Sequence, residues 1–125
     1  MHRFSTLGVL SVMLTIVFTV AGQLLVKKGM LGVGASPGQL GGLPGYLVRT
    51  LTNPFVFVGL GCAVVAALCW TSAVSRLDLS AAYPFMGLAI VLVLALSGVI
   101  FGETVPVTRW LGVAIVCLGL VVAAR

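Results

Sequence analysis

Four polar side chains recur every fourth residue near the start of the chain: Ser11, Thr15, Thr19 and Gln23. At that spacing they share one slowly drifting face of a helix. The run around them, Phe4 to Val26, is otherwise apolar. Uncharged polar groups in such a run have two uses. They can line a path for a hydrophilic group and replace the water it leaves behind. They can also hydrogen-bond between helices or back to their own helix, as Ser and Thr do readily. The hydroxyls favour the second use. Gln23 has no easy back-bond and favours the first. Lys27 and Lys28 follow one turn later, where two ammonium groups suit either a phosphate ligand or general anchoring to lipid phosphates.

The acidic residues are Asp78 and Glu103, and neither falls inside an apolar run. A proton-coupled exporter of cations needs a titrating group at membrane depth, and none is present there. Glu103 follows the apolar run that ends at Phe101. It is near enough to face a vestibule, and it reads equally as a solvated turn charge paired with Arg109. Asp78 reads as a partner of Arg76 or as a helix cap. Tyr83 stands before Pro84 at a helix mouth, and Trp70 and Trp110 read as interfacial belt residues. The single histidine is His2, and Cys62, Cys69 and Cys117 lie within apolar runs without a CxxC. No nucleophile–base pair, phosphate loop or metal-ligand spacing appears, so enzyme chemistry, a bound metal, a cofactor and a disulfide framework are not expected.

These residues need something to position them, and composition says what. Of the 125 residues, 61% are hydrophobic and 7% charged, against about 45–50% and about 25% in soluble domains. That excludes a soluble fold and, by its hydrophobicity, a disordered chain. The expectation is an all-α integral membrane bundle of four transmembrane helices, one domain over residues 1–125. The spans are expected at 4–26, 54–75, 84–101 and 105–124. Lys27 and Lys28 end the first. Asn53-Pro54 starts the second with a capping side chain and a proline at the first helical position. Pro84 opens the third, and Thr104 caps the fourth after a Gly102-Glu103-Thr104 turn. The first run also has the layout of a secretory signal, with His2 and Arg3 in front and small residues near Ala21. Three further runs make a span the better reading.

Gly29 to Gly45 is dense in Gly and Pro and is expected to break helix. After it, Pro44 to Thr52 reads as a short interfacial segment with Leu47, Val48 and Leu51 on one face, or as an irregular loop. The net charge of +5 belongs to cations at run ends, so it speaks for lipid headgroups and not for nucleic acid. Arg3, Arg76 and Arg125 fall on one side, Lys27, Lys28, Arg49 and Arg109 on the other. That balance sets no orientation and leaves dual insertion and an antiparallel dimer open. Gly98 to Gly102 forms a GxxxG, and Gly112 and Gly119 lie seven apart; either spacing suits close helix packing.

Two stretches resemble small members of the drug/metabolite transporter superfamily. One is Thr19-Val-Ala-Gly-Gln-Leu-Leu-Val-Lys-Lys-Gly29. The other runs from Ser80-Ala-Ala-Tyr-Pro-Phe-Met-Gly-Leu88 through Phe101-Gly-Glu103 to Arg109-Trp-Leu-Gly112. Gly112 to Gly119 is similar to the helix-four dimer seam of the small multidrug resistance family, whose essential acid in helix one has no counterpart here. Ala21-Gly-Gln23 with Lys28, and Ala82-Tyr-Pro84, look most like the subunits that flip undecaprenyl-phosphate-linked aminoarabinose. Residues 30–45 are longer than the connection expected in either branch.

The resemblance implies a flippase subunit that moves a polyprenyl-phosphate-linked sugar, such as an amino sugar, across the bacterial inner membrane. It would be a homodimer or a heterodimer with a second small four-helix subunit. The implied substrate residues are Thr19, Gln23, Lys27, Lys28, Tyr83, Glu103 and Arg109, with Gly112 and Gly119 as the seam. Thr19 and Gln23 would replace water around the sugar. Lys27, Lys28 and Arg109 would hold phosphate, and Glu103 would meet an amino group. A small multidrug resistance-like exporter of cationic compounds is the second expectation, and a membrane adaptor for a partner enzyme the third.

Overall fold

The computed structural model describes residues 5–125. Phe4, the expected start of the first span, and His2 and Arg3 lie outside the described residues. The described chain is all-helical: α1 (Thr6–Val33), a single 3-10 turn (Leu40–Gly42), α2 (Leu43–Thr52), α3 (Pro54–Val74), α4 (Leu79–Phe101) and α5 (Val107–Ala123). Three of these helices, α1, α3 and α4, are long and apolar enough to cross a membrane, and α5 is a shorter apolar helix of 17 residues.

Local chemistry sets most of the boundaries. Ser5 caps α1, its hydroxyl accepting from the Gly8 amide at 3.4 Å. The expected start of α3 is present in full. The Asn53 side chain accepts from the amides of Phe55 (3.0 Å) and Val56 (3.4 Å), with Pro54 in the first turn. The short helix expected over Pro44–Thr52 is α2, with Leu47, Val48 and Leu51 turned outward.

Three boundaries differ from expectation. Helix α1 does not stop near Val26 but runs 28 residues, about 42 Å. Gly29 and Gly32 stay helical, and the chain leaves the helix at Gly34, whose φ of +88° suits glycine. Packing overrides propensity here: a Cβ on Gly29 would lie 2.6 Å from Val56 Cγ2 and 2.9 Å from the Val56 amide nitrogen. Pro84 does not open α4, which begins at Leu79 with Asp78 as the residue before it; Pro84 lies inside the helix. A proline in the second turn forgoes one internal hydrogen bond that neighbouring groups can replace. Thr104 does not cap α5. Val105 precedes Pro106, and a residue before proline is steered out of the helical region, so the helix starts at Val107 after an extended Pro106. Within the chain's described residues, Gly98 and Gly102 pack against no other helix: Gly98 meets only the loop at Glu103 and Val105. Gly102 has φ +64° and ends α4 in the left-handed conformation.

The core is the seam between α1 and α3. Gly22 and Gly59 face each other so closely that a Cβ on either would lie 2.8 Å from the other's carbonyl oxygen. Val12, Ile16 and Val20 of α1, with Ala73 at the far end of α3 and Leu77 in the turn after it, continue the buried surface, and Ala82 and Ala89 join it from α4. The Asn53 amide donates to the Gly29 carbonyl at 3.3 Å and ties the ends of the two helices together. Helix α4 packs on α1 and on α5 and barely touches α3, and α5 has no buried residue.

The seam yields a direct comparison. Gly59→Ala should lower the thermal midpoint of the purified protein in detergent, by an overpacking cost of about 1–3 kcal/mol. Gly61→Ala, where a Cβ meets nothing within 4 Å, should leave it unchanged or raised. Equal midpoints would show that the close approach does not hold the pair together.

Candidate functional site

The polar stripe on α1 divides into two halves. Ser11 and Thr15 bond their hydroxyls to helix carbonyls, and Thr15 also borders a cleft between α1, α3 and α4. Thr15 is 3% exposed, and its hydroxyl donates to the Ser11 carbonyl at 2.8 Å. Ser11 donates to the Leu7 carbonyl at 2.8 Å, and its oxygen lies 3.3 Å from Ser72 Oγ on α3. The second half, Thr19 and Gln23, opens onto this cleft, and Lys27 extends it by one more turn.

The cleft has two adjoining parts. One, of about 740 Å³, lies between α1, α3 and α4, with Gly59, Ala63, Ala66 and Ala67 forming the α3 wall. The other, of about 800 Å³, lies between α1, α4 and α5 and reaches Ser97, Glu103, Arg109 and Leu120. Thr19, Gln23, Lys27, Tyr83 and Met86 border both, so the two parts are continuous. Each is partly open and has mostly apolar walls. These volumes fall within the range of about 300–1,000 Å³ usual for ligand sites. The opening exists because α3 and α4 hardly touch, and the small α3 side chains leave the space unfilled.

At one mouth of the cleft Lys27 Nζ meets Glu103 Oε1 at 2.9 Å. Glu103 thus pairs with α1, and not with Arg109 as one reading of the turn had it. Glu103 lies in the α4–α5 loop. The hydrogen bond and charge of Lys27 hold its carboxyl below the usual carboxylate range, with smaller pulls from Ser97 and Arg109. Asp78 and Arg76 form no ion pair among the described residues, and Asp78 makes no side-chain capping bond.

Of the expected substrate residues, the structure brings together Thr19, Gln23, Lys27, Tyr83, Glu103 and Arg109. It does not bring in Lys28. Successive residues point about 100° apart on a helix, and the Lys28 ammonium sits 4.8 Å from the Phe55 ring centroid, a cation–π contact outside the cleft. Trp70, read as a belt residue, instead lines the cleft and stands edge-on to Tyr83, with ring centroids 5.3 Å apart at 77°. No spacing within one helix could have signalled that pair. The small face of α3 could have been found, since residues 59, 63, 66 and 67 recur at helical spacing. Gly112 and Gly119 lie on an exposed face of α5 with open space around them.

The fold and cleft are those of a membrane transporter, and the sequence comparisons agree. Residues 1–125 match the EamA-like transporter family. This chain belongs to that family, and with its long apolar helices it is a multi-pass membrane protein. It is 34% identical over 113 residues to a Serratia proteamaculans protein named probable 4-amino-4-deoxy-L-arabinose-phosphoundecaprenol flippase subunit ArnE, covering 90% of this chain and 91% of that relative. The Pseudomonas syringae pv. syringae protein of the same name is 33% identical, over 82% of this chain and 86% of the relative. A Sodalis glossinidius protein named probable flippase subunit ArnF for the same lipid is 36% identical, over 80% of this chain and 77% of the relative. No solved structure matches the chain.

The Lys27–Glu103 pair has a definite pH signature. Because the folded carboxyl titrates below its ordinary value, the stability it contributes is present above the unfolded value of about 4.3 and is lost as pH falls through the lower folded value. Glu103→Gln should therefore lower the thermal midpoint at neutral pH, and the difference from wild type should close in strong acid. A difference that persists in acid would assign the effect to something other than this pair.

Proposed function

We propose that this chain is a subunit of a flippase that carries a polyprenyl-phosphate-linked sugar across the bacterial inner membrane. It acts with four spans, α5 being the fourth, as a dimer with itself or with a second small four-helix subunit. It makes and breaks no covalent bond. A charged headgroup has to cross hydrocarbon while its tail stays in lipid. A partly open cleft lined by several helices suits that division if it faces the lipid.

One observation carries the reading: Gln23 stands in that cleft between Thr19 and Lys27. An uncharged amide has donors and an acceptor to exchange for water around a sugar. Lys27 at the mouth suits phosphate. The absence of an acid within the helices supports transport down the lipid's own gradient, without a proton cycle in α1. The names of the ArnE and ArnF relatives point to the same class of lipid-linked substrate. A second reading, export of small cations, draws on the Glu103 carboxylate at the cleft, but that carboxylate already holds an ammonium group.

Reconstitution in liposomes decides between them. Wild type should change the accessibility of a lipid-linked sugar headgroup on the outer face. Gln23→Leu should slow this by about tenfold or more, as expected when a site leaves a polar substrate group unpaired, with insertion and folding intact. Normal transport by Gln23→Leu would remove Gln23 from the path. Toxic-cation resistance that depends on Glu103 would favour the exporter. The open face of α5 supports Gly112 and Gly119 as the seam. The double change to Leu should weaken subunit association in crosslinking, and an unchanged oligomer would place the seam elsewhere.

A further inference from the structure

We infer that Glu103 is a specificity-determining residue: it selects headgroups that carry a cation as well as a phosphate. This rests on the flippase reading and adds to it the reason an anion alone is refused. Lys27 is the one charged side chain common to both parts of the cleft, so it is the natural contact for an entering phosphate. In this state it is already engaged, 2.9 Å from Glu103. The pair crosses the mouth from α1 to the loop after α4, and its members are half-exposed, at 49% and 38% of their side chains. A headgroup can therefore reach both.

Charge accounting then separates two kinds of ligand. A phosphate that takes Lys27 strands the Glu103 carboxylate beside a second negative charge. Arg109 lines the same cavity, but among the described residues it lies outside ion-pair distance of Glu103. A sugar that bears an ammonium group resolves the problem, because phosphate pairs with Lys27 and ammonium with Glu103. Lys27 and Glu103 then each keep a partner of opposite charge. The carboxyl is held below the usual range by its neighbours and is ionised at neutral pH. Specificity of this kind comes from the unpaired charge built against the wrong ligand as much as from contacts to the right one. The long, flexible lysine stem lets the pair part without moving a helix.

The full chain in phosphatidylcholine nanodiscs tests the idea, with tryptophan fluorescence as the readout because Trp70 lines the cleft. The probes are a polyprenyl phosphate bearing an amino pentose and the same lipid with its amine acetylated. Wild type should prefer the free amine by about fivefold to tenfold, the range for charge pairs between exposed and desolvated. E103Q should bind both equally and hold the acetylated probe more tightly than wild type does. K27Q should bind both weakly. Circular dichroism should show all three equally folded. Equal binding of the two probes by wild type, or a preference that survives in E103Q, overturns the inference and leaves the flippase reading standing. Binding of neither probe by wild type overturns both.

Discussion

The close approach of α1 and α3 is the constraint on which the rest depends. In lipid there is no hydrophobic drive to bring two apolar helices together, so packing and hydrogen bonds have to do it. Gly22 and Gly59 allow backbone to meet backbone, and Asn53 adds a hydrogen bond to the Gly29 carbonyl. With Gly22 turned into the seam, its neighbour Gln23 points about 100° round the helix from it. The contact at Gly22 thus fixes the rotation of α1 that presents Gln23 to the cleft. A larger residue at Gly22 would change both the packing and the aim.

Much of the fold was legible in the sequence, where local chemistry decides it. Asn53-Pro54 marks a helix start because its side chain and ring act on their own backbone, and tertiary context has little to add. The apolar runs mark the long helices for the same reason. Misread positions are those where a neighbour decides. Gly29 reads as a breaker until Val56 is packed against it. Pro84 reads as a helix start, yet α4 tolerates it one turn further in. Pro106 was overlooked as the residue that delays α5. Within the site, the four-residue spacing found Thr19 and Gln23. It could not separate them from Ser11 and Thr15, whose hydroxyls bond the carbonyls of Leu7 and Ser11 one turn back, with Ser72 of α3 beside Ser11. Lys27 and Lys28 look alike in one dimension and diverge only through helix geometry, one toward Glu103 and the other over Phe55.

The charges follow one plan. Within the cleft, Thr19 and Gln23 are uncharged, and the charged side chains are Lys27, Glu103 and Arg109. A transporter of the EamA-like family built this way keeps the costly charged contacts where water is near and leaves the deep stretch to groups that need no counter-ion. The aromatic pair of Trp70 and Tyr83 lies within the same cleft. It adds aromatic surface to a cleft that also holds charged and neutral polar groups.

The shortness of α5 has a consequence for the bilayer itself. Seventeen residues rise about 26 Å, while the hydrocarbon layer of a typical membrane is about 30 Å thick. With α5 spanning, the lipid beside it must thin or the helix ends must draw polar headgroups inward. Arg109 near one end and Arg125 past the other are placed to do the drawing. With α5 as the fourth span of the proposed flippase, that thinned lipid would lie against the α5 side of the cleft. A headgroup leaving there would meet a narrower layer of oil, and the protein would lower the barrier partly by reshaping its solvent.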